Sequence, residues 1–347
     1  MSTPFWKPPA KRYPGGLPAK ADVLVIGGGI TGVSLMHHLA RRRIAASLVE
    51  RDHLAAGASG RNAGFLLAGV ADNYADAVRT FGRAKARDVW ALTNENHDRV
   101  IEAAGDADIG HRRLGSLTLA ASEEEARALE ESCELLHEDG FVASWDGHGL
   151  LNPRDGEVYP SRLVAALASG SIVEGTDVTS IDGTTVHAGG SSCEAGVVIL
   201  ATNGFTSQLV PSLDIQPTRA QMLATSPVRD RVCERPTYSH FGYRYWRQMP
   251  TGEVLIGGWR DTSKATEMTS QSEPTPAIQQ HLDGKVREMA PGATVTHRWA
   301  GIMGFTKSGL PLVGPVEGMK GVYVCGGYNG HGMGFAFMSA KQLVDSL

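Results

Sequence analysis

The stretch DVLVIGGGITG, residues 22–32, decides the fold. Its first five residues are mostly apolar or β-branched and predict a strand, and residues 33–43 have the pattern of a helix. Between them, Gly27, Gly29 and Gly32 have the G-x-G-x-x-G spacing. In that pattern the first glycine permits a tight turn, the second admits a pyrophosphate, and the third lets helix and strand pack closely. The stretch therefore predicts a dinucleotide-binding unit.

The next predicted strand, residues 45–50, supports this interpretation because it ends at Glu50. A carboxylate at that place accepts hydrogen bonds from an adenosine ribose and repels a 2′-phosphate, which disfavours NADP. A glycine-rich turn with a solvated glutamate remains the alternative. The chain continues as RDHLAAGASGRNAG, residues 51–64, a loop of small residues, whereas an NAD domain usually proceeds directly to further strand and helix units.

Composition excludes several classes of function. The chain has 347 residues, a formal net charge of −4 and no block of lysine or arginine, so neither a nucleic acid nor an anionic membrane is an expected partner. Its four cysteines are far apart, which argues against a metal site. No signal-peptide core and no run of 18 apolar residues is present, so we expect a cytoplasmic protein with a Pro- and Gly-rich arm before the first strand.

Several further stretches carry a resemblance to a known family. They are VERDHLAAGASGRNAG (49–64), DGEVYPSRLVAALA (155–168), IVEGTDVTSI (172–181), VVILATNGFTSQLVP (197–211), WAGIMGFTKSGLPLVGP (299–315) and GVYVCGGYNGHGMG (321–334). Together with the glycine loop, the chain resembles the D-amino-acid-oxidase-type FAD-dependent oxidoreductases, such as glycine oxidase, monomeric sarcosine oxidase and γ-glutamylputrescine oxidase. ASGRNAG and the pairing of GFT with GHG are most similar to the last of these branches.

The resemblance implies an α/β fold, in which an FAD-binding Rossmann-like domain is interleaved with an α+β substrate domain built on an antiparallel sheet. Helical patterns at residues 74–104 and 122–139 and antiparallel-strand patterns at 216–260 agree with this organisation. We expect the FAD-binding domain at 1–70, 150–210 and 298–347. The substrate domain is expected at 71–149 and 211–297.

The same resemblance implies a non-covalently bound FAD. Some relatives attach the flavin through a histidine where this chain has Arg61, or through a cysteine where it has Met303. The residues expected to bind FAD are Gly27, Gly29, Ile30, Thr31, Gly32, Glu50, Arg51, Ser59, Gly60, Arg61, Asn62, Ala63, Gly64, Val178, Ala201, Thr202, Gly301, Gly327, Asn329, Gly330, His331, Gly332 and Met333. The start of the last helix, near Gly332, is expected to face the flavin with its N–H groups.

The chemistry implied is oxidation of a C–N bond: an amine or amino acid gives a hydride to flavin N5, and the imine is hydrolysed. Tyr245, Arg247, Trp259 and His331 are the candidates that face substrate or flavin, with no acid or base assigned. Cross-strand pairing within a sheet is the alternative role of the three strand residues. Oxygen is the expected electron acceptor, although another acceptor remains open.

The chain departs from its relatives at three positions. Met303 stands where glycine-oxidase-like members have a carboxylate-binding arginine, and Gly334 stands where sarcosine-oxidase-like members have a lysine. By alignment, Ile256 replaces the lysine that promotes reaction with oxygen. These differences favour an amine or polyamine derivative over a simple α-amino acid. Arg61, Arg244, Arg247 and Arg260 remain as candidates for a substitute anchor.

Three other readings compete with a self-sufficient oxidase. One is a flavin subunit of a heteromeric amine or amino-acid dehydrogenase or oxidase, in which the Pro-rich arm serves docking. A plain NAD-dependent dehydrogenase is supported by the glycine loop and Glu50 but not by the GHG segment. A tRNA-modifying flavin enzyme is disfavoured by the acidic charge. The oligomeric state stays open.

Overall fold

The computed structural model describes residues 2–347. The helices are α1 (Ile30–Arg41), α2 (Tyr74–Phe81), α3 (Arg83–Ala104), α4 (Glu123–Glu138), α5 (Pro160–Leu167), α6 (Thr206–Leu209), α7 (Lys264–Glu267), α8 (Pro276–Met289) and α9 (Gly332–Asp345). The strands are β1 (Lys20–Ile26), β2 (Ala46–Val49), β3 (Phe65–Leu66), β4 (Ser116–Leu119), β5 (Ser144–Trp145), β6 (Gly149–Asn152), β7 (Gly156–Glu157), β8 (Ser171–Val173), β9 (Val178–Asp182), β10 (Thr185–Ala188), β11 (Ser191–Leu200), β12 (Ile215–Thr225), β13 (Thr237–Ser239), β14 (Arg244–Gln248), β15 (Val254–Gly258), β16 (Val295–Thr306), β17 (Leu312–Pro315) and β18 (Val322–Gly326).

The first sheet has the order β17-β18-β11-β1-β2-β8, and β9 and β10 extend it beside β11. Its centre is parallel: Ile26 at the end of β1 lies opposite Leu200 of β11 and Val49 of β2. The apolar second half of β1 is fully covered, as expected for a parallel strand with helices on its faces. Because the carboxyl ends of these strands meet at one edge, a ligand is expected there.

The second sheet has the order β16-β12-β15-β14-β13-β4-β6-β5. Its pairs are antiparallel except for β4 beside β13. One face packs against α8, where Ile256 and Leu223 share an apolar cluster with Ile278 and Leu282. The opposite face is therefore the one available to a ligand.

These two sheets confirm the predicted fold class, a Rossmann-like unit joined to an α+β part built on a largely antiparallel sheet. The residue boundaries of the domains stay a prediction. Two strands of the second sheet cross them, since β6 continues beyond residue 150 and β16 begins at residue 295. Periodicity alone cannot assign a strand to one of two sheets, because both bury apolar residues.

The arm before β1 packs against the rest of the chain. Trp6 is buried, and its indole Nε1 donates to the carbonyl of Asn62 at 2.7 Å. The hydroxyl of Ser2 accepts from the backbone N–H of Ala300 at 3.2 Å. This placement gives the arm a packing role on the loop at residues 61–62. Among residues 2–347, no helix has the length and apolar character needed to cross a membrane.

Candidate active site

A cavity of about 860 Å³ lies between the carboxyl edge of the first sheet and the open face of the second. The predicted cofactor residues that line it are Gly27, Gly29, Ile30, Thr31, Glu50, Arg51, Ser59, Arg61, Asn62, Ala63, Val178, Ala201, Thr202, Gly301, Asn329, Gly330, His331, Gly332 and Met333. Most of the residues expected around the cofactor are thus brought to one continuous space.

The other four glycines of the expected set, Gly32, Gly60, Gly64 and Gly327, lie behind the wall of the cavity. A Cβ on Gly32 would stand 1.9 Å from the carbonyl oxygen of Gly27, and one on Gly60 would stand 2.2 Å from that of Ala55. Gly32, Gly60 and Gly64 therefore allow close packing of backbone against backbone, whereas Gly327 packs against the side chains of Thr306 and Ile215. This separates them from Gly29, which faces the cavity itself.

The glycine loop follows β1 and opens α1. Gly27 has a φ of +113°, a conformation that residues with a Cβ rarely adopt, and its N–H donates to the carbonyl of Val49 at 2.8 Å. A Cβ on Gly29 would come within 2.9 Å of the Ser59 hydroxyl. That hydroxyl accepts from the N–H of Ile30 at 2.8 Å, so the loop at residues 58–62 is fastened to the first turn of α1.

Glu50 stands beside this turn. Its carboxylate accepts from the N–H of Gly28 at 2.7 Å and from the N–H of Asp52 at 2.9 Å. Burial raises the pKa of Glu50, and the two backbone hydrogen bonds oppose that rise. The carboxylate is therefore oriented at the edge where an adenosine ribose is expected, with Val178 of β9 lining the same cavity.

The segment after residue 55 is a rigid loop of small residues. Asn62 fixes it from within, since its amide donates to the carbonyls of Ala58 and Ser59 and its oxygen accepts from Gly64. The guanidinium of Arg61 donates to the carbonyl of Ala56 at 2.8 Å and to that of Ala300 at 3.0 Å. Arg61 therefore ties this loop to β16.

The sequence GYNGHGM brings the chain back to the cavity between β18 and α9. Asn329 has a φ of 52°, and its side chain accepts from the N–H of Thr306 at 2.9 Å, which closes the turn against β16. His331 precedes α9 and lines the cavity. Burial lowers the pKa of His331 to about 4, against a weaker opposing effect of a hydrogen bond to the Gly69 backbone. The imidazole is therefore neutral near pH 7.

Helix α9 starts at the cavity with Gly332 and Met333. Its first turn is held by the buried side chain of Asn96 from α3. The Asn96 amide donates to the carbonyl of Met333 at 3.0 Å, and its oxygen accepts from the N–H groups of Phe337 and Met338. A side-chain amide thus replaces a backbone partner inside the helix. The positive end of the helix dipole is fixed toward the cavity.

The second sheet supplies an aromatic group that sequence reasoning found only in part. Tyr245 lines the cavity as predicted, and Tyr238 of the neighbouring strand lies beside it with 5.7 Å between ring centroids. The Tyr238 ring stacks on the His331 imidazole at 6.3 Å, with 14° between the planes. Phe65 completes the group. Strand alternation could have found Tyr238, because its direct partner across the pair is Tyr245.

Asp155 is a cavity residue that the sequence analysis missed. Its carboxyl accepts from the Ser116 hydroxyl at 2.6 Å and from the N–H of Ala68 at 2.9 Å. Burial raises the pKa of Asp155 to about 7. A charged residue in a short loop gives no periodic signal, so its burial depends on tertiary packing that one sequence does not show.

Arg247 does not face substrate, contrary to expectation. It is fully buried, 2.9 Å from the Glu157 carboxylate, and it donates to the carbonyls of Ala63 and Val158 at 3.0 Å. Arg247 shares a strand face with Tyr245, but the loop at residues 63–64 and β7 cover it. Arg247 therefore has a structural role: it links β14 to the loop at residues 63–64.

Trp259 also lies away from the cavity. Its ring stacks on His281 with 6.4 Å between centroids, and the Arg244 guanidinium lies 4.5 Å from it on the same side of the sheet as α8. A φ of 63° at Trp259 turns the chain after β15. The turn sends the next residue, Arg260, to the cavity instead.

The three departures from the family can now be located. Met303 and Gly334 both line the cavity. A Cβ on Gly334 would stand 2.4 Å from the carbonyl of Leu67, so this backbone has no room for a lysine there. Ile256 lies on the opposite face of the sheet in the α8 cluster, so it does not face the cavity; Gly258 is the β15 residue that lines the cavity.

The residues present fit FAD. Gly27 and Gly29 line the cavity at the start of α1, where a pyrophosphate would lie, Glu50 would present a carboxylate to a ribose, and the start of α9 would present N–H groups at the far end of the same cavity. A single dinucleotide can contact both helix ends, since one continuous cavity joins them.

Comparisons with known proteins agree with this geometry. The probable oxidoreductase OrdL of Rhizobium meliloti (strain 1021) is 27% identical over 93% of this chain and 82% of its own length. Gamma-glutamylputrescine oxidoreductase of Escherichia coli (strain K12) is 24% identical over 94% of this chain and 83% of its own length. The tRNA 5-methylaminomethyl-2-thiouridine biosynthesis bifunctional protein MnmC of Burkholderia lata is 29% identical over 92% of this chain but only 52% of its own length.

Among solved structures, glycine oxidase from Geobacillus kaustophilus has the same fold, with a TM-score of 0.77 and 21% identity over 95% of each chain. The family described as FAD dependent oxidoreductase matches residues 22–346, nearly the whole length. The chain, whose glycine loop, Glu50 and α9 start line one dinucleotide cavity, therefore belongs to the D-amino-acid-oxidase family of FAD-dependent oxidoreductases.

Proposed function

We propose that the protein oxidises the C–N bond of an amine or amino acid to an imine, which water then hydrolyses. The main observation behind this proposal is that one cavity contains both the dinucleotide end and a pocket lined by Tyr238, Tyr245 and His331. Bound FAD supplies a two-electron acceptor at that junction. Likeness over most of the chain to a gamma-glutamylputrescine oxidoreductase supports a nitrogen-bearing small molecule as substrate.

The chain's own residues contribute alignment and electrostatics. The rings of Phe65, Tyr238 and Tyr245 offer an apolar, π-rich wall for an amine-bearing chain. His331 is neutral near pH 7, so it adds no positive charge that would repel a protonated amine on arrival. The N–H groups at the start of α9 stabilise negative charge that develops nearby.

FAD is held without a covalent link in this proposal. Arg61 and Met303 occupy the positions at which relatives attach the flavin, and neither side chain can form such a bond. Acid precipitation of the holoenzyme should leave the yellow colour in the supernatant. Colour that stays with the precipitated protein would contradict this.

One anaerobic experiment tests both the substrate class and the acceptor. The holoenzyme is mixed with a panel of secondary amines, N-substituted polyamines, glycine and D-alanine, and flavin bleaching is followed before air is admitted. We expect the secondary amines to bleach the flavin faster than glycine or D-alanine, because Met303 and Gly334 provide no carboxylate contact. Rapid return of colour in air would support oxygen as acceptor. No bleaching by any amine would overturn the proposed reaction.

A flavin subunit that works only with a partner remains the second candidate. Its test is co-purification of the holoenzyme from its native cells with a stoichiometric second chain. Activity of the isolated chain in the anaerobic experiment would exclude that candidate.

A further inference from the structure

Arg260 is the residue that the turn at Trp259 delivers to the cavity. Its guanidinium lies between two aromatic rings, 4.5 Å from the centroid of Tyr243 and 4.8 Å from that of Phe305. Stacking uses the faces of a guanidinium and leaves the N–H donors at its edges available. The two rings therefore contact the Arg260 guanidinium without using its hydrogen bonds.

Arg260 also differs from the other cations of the cavity in having no polar partner. Across residues 2–347, three arginines and no lysine line the cavity: Arg51, Arg61 and Arg260. Arg51 lies 3.9 Å from the Asp52 carboxylate, and Arg61 donates to the carbonyls of Ala56 and Ala300. The described residues give Arg260 no ion pair within 4.0 Å and no side-chain hydrogen bond.

An opposing charge, Asp72, lines the same cavity. Burial raises the pKa of Asp72, and the positive charge of Arg260 acts against that rise. The two side chains nevertheless form no ion pair within 4.0 Å in the described structure. A buried or half-buried guanidinium with free edges favours a planar anion, and a carboxylate matches its paired donors.

The position of Arg260 relative to His331 indicates how far the carboxylate of the substrate would be from the C–N bond that is oxidised. Tyr238 stacks on His331 at 6.3 Å, and Tyr245 follows at 5.7 Å from Tyr238. The turn before His331 runs along β16 away from Phe305: the Asn329 N–H donates to the carbonyl of Gly304, and the Met303 sulfur lies 3.4 Å from a Cβ placed on Gly330. Arg260 instead contacts Phe305, two residues and about 7 Å from Met303 along the same strand. In an α-amino acid the carboxylate is one carbon from the nitrogen, too close to bridge this separation.

We propose that Arg260, held between Tyr243 and Phe305, binds a carboxylate that the amine substrate carries several bonds away from the C–N bond that is oxidised. This proposal rests on the proposed function and names the substrate class of the same cavity. Met303 and Gly334 remove a carboxylate contact close to His331, and Arg260 restores one farther along the second sheet.

The test uses matched secondary amines with the holoenzyme: N-methyl-5-aminopentanoate, N-methylpentylamine, which lacks the carboxylate, and N-methylglycine, in which it is adjacent. Anaerobic flavin reduction gives the apparent substrate affinity for wild type, Arg260→Gln and Arg260→Lys. Arg229→Gln is the control, since Arg229 is exposed and outside the cavity. Binding of pentanoate, followed by its perturbation of the flavin absorbance, gives an affinity that requires no turnover.

In the wild type, the carboxylate of N-methyl-5-aminopentanoate should improve affinity about 10- to 150-fold over N-methylpentylamine, the range of a charge-assisted hydrogen-bond pair. Arg260→Gln should abolish this difference and weaken pentanoate binding equally, Arg260→Lys should restore part of it, and Arg229→Gln should change neither. An unchanged ratio in Arg260→Gln would overturn the proposal. So would a loss confined to N-methylglycine, which would place the carboxylate beside the reacting carbon. If no amine bleaches the flavin, the proposed function fails, and the pentanoate titration still decides the role of Arg260.

Discussion

The two ends of the cavity are built in different ways. At the dinucleotide end, the contacts come from backbone groups and short side chains, and Gly27, Gly29 and Gly32 are required because a Cβ would collide with atoms of the chain itself or fill the space beside Ser59. At the substrate end, the contacts come from long side chains on separate strands, such as Tyr238, Tyr245 and Arg260. A site made by backbone restricts sequence locally, whereas a site made by side chains depends on which strand faces lie together.

The largest expected effect concerns Arg247, which is buried in the packed interior next to the substrate end of the cavity. Arg247→Met leaves the Glu157 carboxylate, itself 1% exposed, with only Arg112 as partner, and should lower the free energy of unfolding by about 3–5 kcal/mol. Urea unfolding measures this. Arg298→Met, which breaks an exposed ion pair with Asp283, is the control and should cost at most about 1 kcal/mol. If the Arg247→Met enzyme is as stable as the wild type but its flavin is reduced slowly, Arg247 contacts the substrate after all.

Gly32→Ala tests the backbone-built end. Its Cβ would stand 1.9 Å from the Gly27 carbonyl, and the shift needed to relieve that contact should cost about 1–3 kcal/mol and displace the loop that faces the pyrophosphate. We expect purified protein with little bound FAD, measured by the ratio of flavin to protein absorbance. Gly16→Ala, where no atom lies within 4 Å of the added Cβ, should keep full flavin content. Equal flavin content in both variants would show that Gly32 is not needed.

Glu50→Ala removes the one carboxylate of the dinucleotide end that two backbone N–H groups orient. We expect FAD binding to weaken by about 1–3 kcal/mol, the scale of a lost charge-assisted hydrogen bond. Titration of the apoprotein with FAD, followed by flavin fluorescence, gives the dissociation constants. Asp182→Ala, at an exposed site on β9 outside the cavity, should bind FAD as the wild type does. If Glu50→Ala also binds FAD with wild-type affinity, the ribose lies elsewhere.

The last expected effect is a change in pH dependence at the substrate end. The pKa of Asp155 is raised by burial from 3.8 to about 7, so the unfolded chain ionises first and this residue's contribution to stability is lost as pH rises from about 4 to about 7. His331 acts in the opposite direction, because its pKa is lowered to about 4. Asp155→Asn should therefore gain stability relative to wild type as pH rises through this window, measured by urea midpoints. Asp106→Asn, on the surface, should show a constant difference; the same flat result for Asp155→Asn would mean that Asp155 stays ionised.

The contrast between the two ends explains what sequence alone could predict. The β-α-β unit, the fold class and most residues that line the dinucleotide end of the cavity were predictable, because glycine spacing and alternating apolar patterns are local properties. Arg247 was assigned wrongly to the cavity because strand alternation gives the face of a side chain but not what covers it. Trp259 was assigned wrongly because its positive φ ends the alternation and puts its ring on the α8 side. Tyr238 was missed although its direct partner across the strand pair is Tyr245, a local signal. Asp155 was missed because its partners Ser116 and Ala68 lie 39 and 87 residues away along the chain. Arg260 was one candidate among four until its aromatic neighbours were known.

The hydrogen bonds that close the cavity join residues far apart along the chain. Thr31 meets Tyr328, Asn96 meets Met333, and Ser2 meets Ala300. We expect contacts of such high sequence separation to form late in folding, since the entropy of closing long loops must be overcome first. A nascent or truncated chain that already contains the complete glycine loop therefore has no cavity to offer. FAD can therefore bind only after the whole fold is complete. Because it binds only that state, FAD shifts the folding equilibrium of both sheets together.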